Sequence, residues 1–263
     1  MDPTTAVVLM MLNLAVTGAL VALVARRSLE QRPLLQCAAS TGLFALAYAL
    51  RLALGIDTAQ PVAVVADVLM VFAAALFLRG QRQYMGRPPW LLGRVLLLCA
   101  LFGLGHAALT ALAGQAARHI SLNCALGTLY LSMAFSAWQG QRTLTPAERP
   151  AQRLMLVTAG LLGAATLLRA ADAAWRGVDT LFSGPTAQAY YALSSTCMLL
   201  MGPSVLWWMF TRLNEQLHGN ILRSRQQPCG KNSRTGCETA LPHVIGEADQ
   251  SLEHLLNRRM RHE

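Results

Sequence analysis

Along the first 211 residues, long apolar stretches alternate with short polar joints. A bilayer core takes about 20 residues of helix to cross. Seven stretches qualify: 5–25, 34–54, 61–80, 90–112, 119–138, 154–175 and 189–211. The pattern predicts an all-α polytopic membrane protein with seven transmembrane helices. The first stretch reads as a true span and not as a cleavable signal peptide. It begins almost at Met1 without a basic flank, is too long, and is followed by Arg26-Arg27. Only 212–263 is polar enough to sit in water.

Composition supports this reading. The chain is 54% hydrophobic and only 13% charged, about half the charge of an ordinary soluble domain. That excludes a disordered chain. The net charge of +9 comes from 22 basic residues, of which only Lys231 is a lysine. Their placement sets an orientation. Arg26, Arg27 and Arg32 follow span 1, while Arg79, Arg82, Arg87 and Arg94 lie between spans 3 and 4. Arg142, Arg149 and Arg153 lie between spans 5 and 6. The alternate loops hold only Arg118 and Arg176. Basic loops stay cytoplasmic, so the N-terminus is expected outside and the C-terminus in the cytoplasm. The basic excess then faces anionic lipid and not nucleic acid. The tail, with eight Lys/Arg and six Asp/Glu, carries no basic stripe.

Trp90, Trp138, Trp207 and Trp208 fall at expected inner ends and Trp175 at an outer end, as interfacial anchors do. Cys37, Cys99, Cys124 and Cys197 lie inside spans and read as small packing residues. Cys229, Cys237 and His243 in the tail match no usual zinc spacing, so no metal site is expected.

Ionisable residues inside spans are costly and point to function. Arg51, Asp67, His106, His119, Arg169 and Asp172 are such residues, and the topology puts all six in the outer half of the membrane. Asn123, Tyr190 and Tyr191 share that layer, whereas the inner halves carry no comparable set. Arg169 and Asp172, at i and i+3, are placed to pair. Arg51 and Asp67 are placed to pair across a short loop. Each residue taken alone fits internal salt bridging that fixes helix packing. Their common depth predicts a ligand-sensing pocket open to the outside, taking an unknown small ligand.

The last span runs into Arg212-Leu213-Asn214-Glu215-Gln216-Leu217, a helical continuation placed to carry a signal to the cytosol. An irregular stretch follows, and then Leu252 and Leu255-Leu256-Asn257-Arg258-Arg259. These last residues resemble the opening of the GGDEF domain of bacterial diguanylate cyclases. There a linker helix enters an Asp-Pro-Leu-Thr-Gly-Leu-x-Asn-Arg-Arg segment. The membrane part is similar to the seven-span input modules of such proteins, around Arg51, Asp67 and Leu78–Arg87. In place of the motif's Asp-Pro and Thr-Gly stand Gln250-Ser251 and Glu253-His254.

The resemblance implies a sensor module at 1–211, a cytosolic linker at 212–248 and a GGDEF-like start at 249–263. It also implies a bacterial inner membrane location and a homodimer, or a heterodimer with full-length diguanylate cyclases. The family's GTP-holding turn and metal carboxylates are not in the sequence, so the expectation is a truncated or decayed output half. It would be inactive toward cyclic di-GMP and without cofactors. Magnesium and GTP belong only to a catalytic domain that followed. Two competing expectations are a small transporter or permease using the outer-half charges, and a structural membrane protein.

Overall fold

The computed structural model describes residues 3–26, 31–55, 62–141, 145–182 and 184–226. The chain divides into two compact units, Met1–Leu213 and Asn214–Glu263. Among the described residues there are helices and no strand. They are α1 (Pro3–Ala25), α2 (Gln31–Leu54), α3 (Val62–Tyr84), α4 (Leu92–Gly140), α5 (Arg149–Arg176) and α6 (Gly184–Gln226). A 3-10 turn, Val178–Leu181, joins α5 to α6. All six α-helices are long and apolar enough to cross a membrane.

Their outer surfaces explain the composition. In α1, Val7, Met10, Leu14 and Val21 are buried, yet Leu9, Leu12, Val16, Leu20 and Leu23 are exposed. In α4, Leu97, Leu98, Leu101 and Leu104 are exposed. A helix apolar on both faces suits a core or a lipid surround, and apolar patches this continuous are rare on proteins dissolved in water.

The 49-residue α4 is two helices joined at one residue. Gly114 has φ 76° and ψ −164°, a backbone region essentially restricted to glycine. A straight helix would hold His106 and Ser121 about 22 Å apart, but their side chains lie 2.7 Å apart. The chain therefore folds back at Gly114 into arms 92–113 and 115–140, each about 33–39 Å long. The sequence reading placed a loop over 113–118. The structure corrects this, because one glycine makes the reversal and helix resumes at once. Arg118 consequently leaves the loop and becomes a buried helical residue.

Successive elements are neighbours from α1 through α5. Within the first unit α6 closes against α1, where Asn13 Nδ2 donates to the Met198 carbonyl at 3.0 Å. A Cβ on Gly202 would meet Thr17 Oγ1 at 2.5 Å, so the small residue sets how closely these helices approach. The last turns of α3 meet α6 through the edge-on Tyr84–Trp208 pair, with centroids 4.3 Å apart. There Arg212 Nη1 donates to the Tyr84 carbonyl at 2.8 Å. Trp208 is therefore a core residue and not an interfacial anchor, while Trp138, Trp175 and Trp207 are exposed. Cys37, Cys99 and Cys197 are buried packing residues, but Cys124 is exposed.

The most enclosed helix is α3. It carries Asp67 near its start and Gln81 near its end, with buried Met70, Val71, Ala73, Ala74 and Phe77 between them. The Gln81 end holds a second polar layer, built from neutral amides. Gln81 Nε2 donates to the Met133 carbonyl at 3.3 Å, and Gln152 Nε2 to the Ala137 carbonyl at 3.0 Å.

Candidate functional site

Four segments bring charge to one place. Arg51 lies in the last turn of α2, Asp67 near the start of α3, His106 on the first arm of α4 and Arg118 on the second. Asp67 is fully buried, and both its oxygens are used. Oδ1 accepts from Arg51 through Nε at 3.0 Å and through Nη2. Oδ2 accepts from Arg118 Nε at 2.7 Å and contacts His106 Nε2 at 3.0 Å. A carboxylate only accepts, so His106 Nε2 carries a proton there. His106 Nδ1 meets Ser121 Oγ at 2.7 Å, which orients the ring. One carboxylate thus ties three helices together, including both arms of α4.

Arg169 and Asp172 do not pair. Asp172 binds Arg176, one turn further on, at 2.8 Å, and the Arg176 side chain is more than half exposed. Arg169 turns the other way. Its Nη2 donates to the Leu181 carbonyl at 2.6 Å and to the Tyr191 hydroxyl at 3.0 Å. Its guanidinium carbon lies 4.1 Å from the ring centre of Tyr190 and 4.8 Å from that of Tyr191. The i, i+3 spacing allowed a pair that the 3-10 turn removes, because Leu181 offers Arg169 a carbonyl inside the bundle.

A cavity of about 80 Å3 is lined by Arg51, His119, Asn123, Arg169, Tyr190 and Ser194, among others. Three buried polar atoms on its lining residues have no hydrogen-bond partner: His119 Nε2, Arg169 Nε and Ser194 Oγ. Each orphan costs about 1–3 kcal/mol, and buried polar groups are normally satisfied. His119 packs edge-on against Phe182, with centroids 5.2 Å apart. Across Arg169 and Tyr190 lies a wider groove of about 370 Å3 between α5 and α6.

Of the six residues expected to form a pocket, Arg51, Asp67 and His106 meet directly. His119 and Arg169 share the cavity with Arg51, while Asp172 lies outside it on the groove. Arg118, Ser121 and Ser194 were missed. For Arg118 the available signal was its place beside His119, four residues after a glycine able to make the turn. Arg212, Leu213 and Leu217 lie on α6. Leu252, Leu255, Leu256, Asn257, Arg258 and Arg259, with Cys229, Cys237 and His243, lie outside the described residues. Among the described residues no cluster of three or more His, Cys, Asp or Glu side chains is placed to hold a metal.

No family model, curated protein or solved structure matches this chain.

Proposed function

We propose that this chain is the membrane-embedded sensor of a diguanylate cyclase-type signalling protein. On this reading it crosses the bacterial inner membrane seven times, with α4 supplying two crossings, its N-terminus outside and its C-terminus in the cytoplasm. The observation that carries the sensor reading is the cavity lined by Arg51, His119, Arg169 and Ser194. Its orphaned donors and acceptors await a partner. Asp67, by contrast, has both oxygens satisfied by the protein itself.

The output assignment rests on the sequence alone, on Leu252 and Leu255-Leu256-Asn257-Arg258-Arg259. Occupancy of the cavity shifts the bundle between two packings, and α6, which includes Arg212, Leu213 and Leu217, passes the change to the cytosolic side. Pairing with a second copy or with a full-length cyclase turns that change into more or less cyclic di-GMP. A transporter needs polar groups reachable from both faces, and the buried apolar residues between Asp67 and Gln81 disfavour that alternative.

The test joins a GGDEF catalytic domain to the last residue of the chain in cells lacking other cyclases. Cyclic di-GMP output is expected to change at least severalfold on Arg169→Gln. Identical output from the unmodified fusion and this variant under all growth conditions tried, with equal membrane levels, rejects the sensor reading.

A further inference from the structure

The cavity's chemistry names the kind of ligand that fills it. Arg169 contributes a positive charge, and no carboxylate meets it among the described residues, because Asp172 is engaged with Arg176. Asp67 is not on the cavity wall, and both its oxygens are already bound. The remaining titratable wall groups are Arg51, His119 and tyrosines. The single charge of Asp67 is shared by Arg51 and Arg118, so nothing is left to offset Arg169, whose charge faces the space. A cation in a low-dielectric interior is costly without a counter-charge.

The orphaned atoms agree with that sign. Arg169 Nε can only donate. Ser194 Oγ can donate, and His119 Nε2 donates when that nitrogen holds the ring proton. His119 and Ser194 are each only 3% exposed, so bulk water does not satisfy them. A volume of about 80 Å3 holds roughly two to three waters, or an anion of a few heavy atoms.

We propose that the cavity binds a small monocarboxylate, with Arg169 as its counter-ion and His119 and Ser194 as hydrogen-bond partners. The small volume suits a compact carboxylate, whose oxygens accept from Arg169 and from Ser194 or His119, and phosphate is the competing anion in the test. Arg169 and Tyr190 border both the cavity and the outer groove. The pair therefore forms the wall through which the ligand passes, and the stacked tyrosine ring must swing for it to do so. This assignment rests on the sensor reading for its purpose, but binding is measured independently of any output.

The test uses the full chain, purified in detergent and titrated at constant ionic strength. Sodium formate, acetate and propionate are the carboxylate probes. Phosphate, chloride and ethylammonium are the comparisons. A saturable heat or a rise in unfolding temperature is expected with a carboxylate and not with ethylammonium. Arg169→Gln is expected to weaken the affinity about tenfold or more, the scale of one charge-assisted contact.

Arg169→Gln also removes the Leu181 and Tyr191 contacts, so Ser194→Ala provides a milder second variant. It is expected to fold and to bind a few-fold more weakly, whereas Asp172→Asn binds normally. No saturable carboxylate signal, binding that Arg169→Gln and Ser194→Ala leave unchanged, or a preference for phosphate, chloride or ethylammonium each overturns the assignment. Carboxylate binding without any change in cyclic di-GMP from the fusion upholds the site and rejects the sensor. A responsive fusion whose protein binds no carboxylate does the reverse.

Discussion

At the residue scale Asp67 has the largest consequence. It is fully buried and shares its two oxygens among Arg51, Arg118 and His106. Removing its charge strands two guanidiniums in a poorly solvated place. Breaking a buried ion pair by deleting one partner costs about 3–5 kcal/mol. Asp67→Asn is therefore expected to lower stability by about that much, read from unfolding in detergent. Asp172→Asn is the comparison. Its partner Arg176 is more than half exposed, and such pairs contribute about 0–1 kcal/mol. Equal losses in the two variants would contradict the role given to Asp67. The contrast also shows why residue type alone misleads. Both aspartates sit in apolar stretches beside an arginine in reach, and only the packing distinguishes the buried knot from the surface pair.

At the element scale the reversal inside α4 decides the site. Without it His106 and Arg118 would lie about 18 Å apart along one helix and could not share Asp67. The turn depends on the φ of 76° at Gly114, where a Cβ meets no neighbouring atom. Any penalty for adding one is thus backbone strain and not crowding. Gly114→Ala is expected to cost about 1–3 kcal/mol. Gly105→Ala, in the helical first arm and equally free of neighbours, is expected to be neutral or stabilising by up to about 1 kcal/mol. Chemical unfolding of the two variants checks the difference. The hydrophobic pattern separated these two stretches correctly but drew a six-residue loop between them. Polar Gln115, Arg118 and His119 look like a joint when their partners are not visible. Arg118 and His119 are instead buried at the bundle's charged end.

For the whole molecule the proposed topology makes a directional prediction. Asp179, after α5, and Pro88, between α3 and α4, are both exposed. With the native cysteines replaced, Asp179→Cys in intact cells is expected to react with a membrane-impermeant maleimide after the outer membrane is opened. Pro88→Cys is expected to react only after the inner membrane is also breached. The reverse labelling pattern would invert the orientation drawn from the arginines, and labelling of both from one side would reduce the number of crossings.

By itself the sequence determined the class of architecture. Helices apolar on every face need no partner knowledge to be recognised, because length and hydropathy are local properties set by the bilayer's thickness. The sequence also placed Arg51 and Asp67 within reach of each other, since a short connection between adjacent helices leaves few alternatives. Only the tertiary structure decided that Arg118 joins them and that Arg169 abandons Asp172 for Leu181 and two tyrosines. It alone decided that three orphaned polar atoms share one cavity. Those outcomes depend on which way each helix is rotated and on a single glycine's backbone angles. Rotation is set by close packing against several neighbours at once, which a linear pattern of hydrophobic and polar positions does not encode.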